Sequence, residues 1–146
     1  MKRKQSEISS GTRPGTSAAI QLFHNTTNKD KWLYALDHYP DAVRLVSVQK
    51  KKPELVKLDQ WLWNDFINDV NNRSPRQVEH QELSDIMKWK LIRGKFRPLQ
   101  KLVDSNTAAS VKAASTKALQ SLSSNKWQNA LTELCVLKGI GVATAS

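Results

Sequence analysis

Cysteine is nearly absent from this 146-residue chain, and histidine is scarce. The single cysteine, Cys135, cannot form an internal disulfide, which excludes the small secreted proteins that disulfides hold together. We expect no disulfide-linked partner, and we interpret Cys135 as a buried, unreactive thiol on the flank of a helix. Because the three histidines lie far apart in the sequence, we also expect no metal site built from side chains.

Glycine, proline and long apolar runs are also few. Five glycines and five prolines exclude collagen-like and low-complexity proteins. No apolar run approaches the roughly 18 residues of a membrane-spanning helix, and the polar N-terminus lacks the apolar stretch of a secretory signal. The sequence therefore predicts no membrane partner. Hydrophobic residues make up 39% of the chain, which predicts a small core and a segment that stays outside it.

Basic residues outnumber acidic ones. The chain has 23 lysines and arginines against 13 aspartates and glutamates, a formal net charge of +10. This excess suits a polyanionic partner, most often nucleic acid, although it also serves general solubility.

Residues 1–17 are polar and basic and contain too few apolar side chains to order themselves. We therefore expect a disordered tail over 1–17 and a helical domain over 18–146. The triplet Lys2-Arg3-Lys4 resembles part of a nuclear-import signal. It favours the nucleus, with the cytoplasm as the alternative.

Apolar spacing after residue 17 predicts an all-α fold, a multi-helix array of orthogonal or antiparallel neighbours joined by short loops. Pro40 is expected to interrupt the second helix, and the run Val43–Val48 fits either a short helix or a strand. The expected apolar anchors include Ala18, Ile20 and Phe23; Trp32, Leu33 and Leu36; Leu55, Leu62, Phe66 and Val70; Leu83, Ile86, Met87, Leu91 and Gly94; Leu99, Leu102 and Val103; Val111, Ala114, Ala118, Leu119 and Leu122; and Trp127, Ala130, Leu131, Leu134 and Leu137.

Helix starts and two tryptophans complete this prediction. Asn28 is an expected N-cap, as is Ser105 or Asn106, and Pro53 is expected at a first helical position. At about 100° per residue, Trp63 borders the stripe that starts at Leu55, whereas Trp61 points away from it. Core packing is the simpler interpretation of both rings, and base stacking is the alternative.

The last thirteen residues form the most specific pattern in the chain. They predict a helix end, a Gly-x-Gly hairpin over 134–146 and the start of a second helix. Gly139 permits positive φ at the reversal, Ile140 fills the space between the helices, and Gly141 leaves the backbone open. The N–H groups of Val142–Ser146 would then face one phosphate. The same pattern also occurs as a plain connector between helices.

The hairpin resembles the helix-hairpin-helix element of DNA-binding proteins. Together with the helical segment before it, it is similar to the helix-hairpin-helix DNA glycosylase superfamily that includes endonuclease III, and the stretch Glu82–Val103 resembles an uncharacterised eukaryotic subgroup. The resemblance implies a monovalent cation between hairpin carbonyls and phosphate, and no other cofactor. The matching residues are Leu134, Leu137, Gly139, Ile140, Gly141, Thr144 and Ala145. The DNA-phosphate contacts it implies are Lys138, Gly139, Ile140, Gly141, Val142 and Thr144.

Two departures from the family pattern argue against catalysis. Lyase members carry a Schiff-base lysine two residues after the second hairpin glycine, where this chain has Ala143, and Lys138 does not take over that role. The catalytic aspartate of the family lies beyond the second helix, whereas this chain ends at Ser146. We therefore expect no catalytic residue and no enzyme activity. The chain is expected to be the N-terminal part of a longer protein, a truncated gene model or a shortened isoform.

A second candidate site is the segment from Ile86 to Val103, which contains six basic residues and no acidic one. Trp89 is a candidate stacking or wedge residue within it. A solvated helix face is the alternative interpretation, because on a helical wheel Lys90 falls inside the apolar stripe while Lys88 lies on the other side, so the basic residues do not form one face. The basic patch expected to meet phosphates consists of Lys88, Arg93, Lys95, Arg97 and Lys101.

These features predict a non-catalytic helical module that binds DNA phosphates weakly and without sequence preference. Duplex DNA is the expected partner. The alternative is a helical protein-interaction domain with no nucleic-acid role, anchored by Trp61 or Trp89. A DNA glycosylase proper would need residues beyond Ser146.

Overall fold

The computed structural model describes residues 29–146, and the contacts within the chain divide it after Pro40 into two units. The expected tail over 1–17, the domain boundary at residue 18, the helix near Ala18–Phe23 and the cap at Asn28 all lie outside the described residues.

Helix α1, Lys29–Asp37, has no buried residue. The prediction that Leu33 and Leu36 anchor a core is wrong, because both side chains are exposed. The ring of Tyr34 lies against the ring of His38, with centroids 4.1 Å apart.

Helix α2, Tyr39–Gln49, contains Pro40 in its first turn. Proline fits this position because the first N–H groups of a helix have no intrahelical acceptor. Pro40 therefore starts α2 rather than merely interrupting a helix, and the strand alternative for Val43–Val48 is wrong. The buried face of α2 carries Val43 and Ser47.

The basic linker after α2 is a tight turn in which Lys51 has a positive φ of 53°. The chain then runs through helix α3, Glu54–Trp61, a wider π-helical turn, Leu62–Phe66, and helix α4, Ile67–Asn72. Pro53 occupies the N-cap of α3, one position before the first helical residue predicted for it.

The π-helical turn changes which tryptophan faces the interior. In a regular α-helix, residues five apart differ by about 140° in direction, but the wider turn brings the Trp61 and Phe66 rings to a centroid separation of 5.2 Å. Trp61 is half-buried, whereas Trp63 is 55% exposed. Core packing, the interpretation favoured for both rings, therefore agrees with the half-buried Trp61 and is wrong for Trp63, while Leu55 and Val70 are buried as expected.

Helix α5, His80–Arg93, starts with a capping box in which the Glu79 and Glu82 side chains each accept a hydrogen bond from the other residue's N–H. Gly94 caps its C-terminal end. The prediction that Gly94 belongs to the core stripe is wrong, because this residue is exposed. A single short turn of helix, α6, Gln100–Asp104, follows.

An ion pair ties the start of α5 to the turn before it. The Arg73 guanidinium donates two hydrogen bonds of 2.6 Å to the two Glu82 carboxylate oxygens, and a third, of 3.0 Å, to the Gln77 carbonyl. Burial alone would raise the pKa of the Glu82 carboxyl, but the hydrogen bonds from Arg73 and from the Glu79 N–H outweigh burial and lower that pKa below its usual value.

The remaining helices are linked by short turns. Thr107, rather than the predicted Ser105 or Asn106, caps α7, and its hydroxyl accepts from the Ser110 N–H at 3.1 Å. The turn after α7 uses Asn125 at a positive φ of 57°. The helices of this part are α7, Ala108–Ser123, α8, Trp127–Cys135, and α9, Val142–Ala145.

The core of the second unit joins α5, α6, α7 and the hairpin. Several predicted anchors lie outside it, since Leu102, Leu122 and Trp127 are exposed. Apolar burial of this kind is the main force that holds the helices together. The core residues are Met87, Leu91, Val103, Val111, Ala114, Leu137 and Ile140, with Val78, Leu83, Leu99, Leu134 and Ala145 packed against them.

The prediction of an all-α fold is confirmed for residues 29–146, which contain helices and turns and no strand. Within the same range, no helix is both long enough and apolar enough to cross a bilayer.

Candidate nucleic-acid interface

The hairpin reverses the chain at Gly139, which has a positive φ of 79°. Side chains resist this conformation, so the sequence-based reason for a glycine here holds. A Cβ at this position would lie 2.8 Å from Val103 Cγ2, closer than real side chains approach. Gly139 is therefore required both for the turn and for the close packing against α6.

An amide side chain fixes the hairpin from outside. Asn106 Oδ1 accepts the Lys138 N–H at 2.9 Å, and Asn106 Nδ2 donates to the Lys138 carbonyl at 3.0 Å. The same nitrogen donates to the Val103 carbonyl at 2.8 Å. Asn106 was predicted only as a helix cap, and its partner 32 positions later leaves no local trace in the sequence.

The hydrophobic side of the hairpin is buried. Ile140 is 7% exposed and Leu137 is 4% exposed. The prediction that Ile140 fills the space between the helices agrees with this burial. Its side chain faces the core, so only its backbone is available to a phosphate.

The opposite side of the hairpin is open. Gly141 has an extended backbone, and a Cβ placed there would meet no atom within 4 Å. Lys138 and Val142 beside it are exposed. Helix α9 has only four residues, so its dipole is small and most of the positive charge at this surface comes from side chains.

The basic segment joins the hairpin through Lys90. Its ammonium donates to the Ala143 carbonyl and, at 2.9 Å, to Thr144 Oγ1. Partial burial and the like charge of Arg97 lower the pKa of the Lys90 ammonium. The helical wheel places Lys90 on the apolar stripe of α5. The structure explains a lysine at this position, because its side chain reaches the second helix of the hairpin.

The predicted patch residues are all exposed, but they do not form one surface. Arg97 lies close enough to Lys90 to affect its pKa. Lys88 instead borders a separate groove at the end of α5. The structure therefore places Arg97 near Lys90 at the hairpin and Lys101 on α6, the helix that packs against Gly139, whereas Lys88 lies at the separate groove.

Trp89 has two polar neighbours. Its indole N–H donates to Asp59 Oδ1 at 2.8 Å, and the Arg93 guanidinium carbon lies 5.1 Å from its ring centroid. Asp59 is buried at 6% exposure, and this hydrogen bond joins α3 to α5. Trp89 is half-buried, which suits a packing residue better than the predicted wedge.

Three backbone carbonyls of the hairpin, where the resemblance implies a monovalent cation, already accept hydrogen bonds. The Leu137 carbonyl accepts from Ile140, the Lys138 carbonyl from Asn106, and the Gly141 carbonyl from Thr144 and Ala145. Among residues 29–146 no three or more metal-ligating side chains cluster.

Comparisons of the chain with protein-family models, with curated proteins and with solved structures gave no match.

Proposed function

We propose that this chain is a non-catalytic helical module that binds the phosphates of duplex DNA without sequence preference. The observation that carries this proposal is the direct link between the hairpin and the basic segment. Lys90 holds the second hairpin helix, and exposed Arg97, Lys101 and Lys138 lie on the segments that meet there. Ala143 at the lyase-lysine position supports the absence of catalysis.

The physical basis is electrostatic. Each phosphate neutralised by a lysine or arginine releases condensed counterions, so affinity falls with salt by about 0.9 log units per log unit of salt for each phosphate neutralised. Open backbone at Gly141 lets a phosphate approach closely, because no side chain or neighbouring atom occupies that space. Binding that depends on charge and backbone reads no base, hence the lack of sequence preference.

The test is a titration of a labelled duplex at two salt concentrations with four proteins. Gly141→Leu should weaken binding while helicity is unchanged, since the extended backbone at Gly141 accepts any residue. Arg97, Lys101 and Lys138 changed together to Ala should weaken binding equally on different sequences. The same triple change should reduce the salt slope by up to about 0.9 for each phosphate that is no longer neutralised. A matched control changes three exposed lysines elsewhere, Lys57, Lys117 and Lys126, to Ala.

Equal weakening in the control triple would mean that only net charge matters and would contradict the proposed site. Wild-type protein that fails to bind duplex at low salt would overturn the proposal. An abasic duplex in the same series should remain uncut. Nicking that disappears with one side-chain change would refute the non-catalytic part.

A second candidate function is protein interaction, favoured by the exposed Trp63 and Trp127 rings. Trp61 and Trp89, the anchors predicted from sequence, are half-buried and have partners within the chain. A Trp-anchored interface depends little on salt, so binding that persists at high salt and is abolished in Trp63→Ala would support this function instead.

A further inference from the structure

A groove of about 570 Å³ lies between the start of α3 and the C-terminal end of α5. Its volume is within the range of pockets that accept a side chain or a small ligand. Leu91 and Ile92 form apolar walls, and the Phe96 ring at the edge is 74% exposed. An aromatic ring so exposed beside an apolar groove is a natural anchor for a partner.

Two polar groups of the walls, the Lys50 ammonium and the Gln100 amide nitrogen, already have partners within the chain. Lys50 Nζ donates to the carbonyls of Ile92, Arg93 and Gly94 at 2.8, 3.0 and 2.5 Å. The Gln100 amide nitrogen donates to Ser84 and to Asp104. What the groove offers a ligand is therefore apolar contact inside and ammonium charge at its rim.

The rim is positive. Lys50, Lys52 and Lys88 border the groove, and the one carboxylate among its lining residues, Glu54, is 4.0 Å from Lys52 Nζ. An apolar ligand flanked by negative charge would gain both burial and electrostatic attraction here.

We propose that this groove binds an acidic peptide segment of another protein, with an apolar side chain inserted beside Phe96 and carboxylates facing Lys52 and Lys88. This partner is distinct from the DNA proposed for the hairpin. Charge disfavours two other occupants, the N-terminal segment of this chain and a second copy of it, because both are positively charged like the rim. Residues 1–28 carry four basic residues and one acidic residue, and a second copy of the chain carries the same charge of +10.

A nucleic acid fits the groove less well. Lysines would attract its phosphates, but a base edge needs hydrogen-bond donors, and the Lys50 ammonium and the Gln100 amide nitrogen already donate within the chain. The observations therefore favour a peptide.

The experiment uses the full chain and a fluorescein-labelled twelve-residue synthetic peptide with Leu and Phe four positions apart and Glu or Asp elsewhere. Phe96→Ala and Lys88→Glu should each weaken its binding by about tenfold. The matched controls are Tyr34→Ala, which removes another exposed aromatic ring, and Lys117→Glu, which makes the same charge change elsewhere; both should stay within about twofold. A peptide with every acid replaced by Lys should not bind.

Circular dichroism of each variant confirms that the helices are intact, as expected for exposed positions. Three results would overturn the proposal: no binding of the acidic peptide to wild-type chain, equal weakening in the controls, or binding of the Lys-substituted peptide. A labelled single-stranded twelve-nucleotide DNA that displaces the acidic peptide from wild-type chain, and whose own direct binding is abolished in Phe96→Ala, would assign the groove to nucleic acid and so also refute the peptide.

Discussion

Two glycines separated by Ile140 have opposite requirements in the hairpin. Gly139 has a left-handed backbone and packs against Val103, so no other residue fits without strain. Gly141 has an extended backbone with open space beside it. Stability requires the first glycine, whereas only access of a ligand to the backbone requires the second.

Gly139→Ala should lower the free energy of unfolding by about 2 kcal/mol, from backbone strain plus the clash with Val103 Cγ2. Gly141→Ala should lower it by less than about 1 kcal/mol, the usual effect of an alanine at an N-cap. Urea unfolding of the two variants and wild type provides the measurement. Equal destabilisation would show that the two positions do not differ in this way.

Sequence reasoning succeeded for Gly139 because a chain reversal imposes a local requirement on φ. It missed Asn106, whose partner Lys138 lies 32 positions away, and Lys90, whose partner Thr144 lies 54 positions away. Polar side chains with long-range partners carry no periodic signal. The candidate site was therefore predictable as two separate segments, and the hydrogen bonds between them were not.

Helices were predicted well where apolar residues recur at regular helical spacing and poorly where the backbone departs from α-helical geometry. The π-helical turn at Leu62–Phe66 has no signature in apolar spacing, so the helical wheel put the exposed Trp63 beside the buried stripe and the half-buried Trp61 away from it. The start of α7 was misplaced because three consecutive residues, Ser105, Asn106 and Thr107, are all good caps. Only the tertiary structure shows that Asn106 is committed to the hairpin.

Thr107→Ala should destabilise the chain by about 1 kcal/mol, since the Ser110 N–H would have no side-chain acceptor. Thr107→Ser keeps the hydroxyl and should restore most of the stability. Thermal unfolding of the pair measures the difference. If the serine variant is as unstable as the alanine variant, the hydroxyl is not the stabilising group.

Ion pairs of this chain differ greatly in environment, and this should govern its stability in acid. The side chains of Arg73 and Glu82 are 27% and 14% exposed, whereas those of Arg44 and Asp41 are 63% and 68% exposed. A partly buried, doubly hydrogen-bonded pair is worth more than a solvated one. The Arg73–Glu82 pair also connects the turn after α4 to α5.

Glu82→Gln should reduce the free energy of unfolding at pH 7 by about 1–3 kcal/mol, and Asp41→Asn by less than about 1 kcal/mol. Because the pKa of Glu82 is lower in the folded chain, its contribution is complete above the unfolded pKa near 4.5 and disappears as pH falls through the folded value. The gap between wild type and Glu82→Gln should therefore shrink at pH 3. Urea unfolding at both pH values measures it, and an unchanged gap would contradict the assignment.

Trp89 has an optical consequence. Its indole N–H is held by a buried carboxylate, and its ring lies beneath the Arg93 guanidinium. An anion that draws Arg93 away would change the electric field across the excited indole without moving the helix. The emission wavelength of Trp89 should therefore shift when a polyanion binds to the basic segment. Binding there can then be followed without an added label.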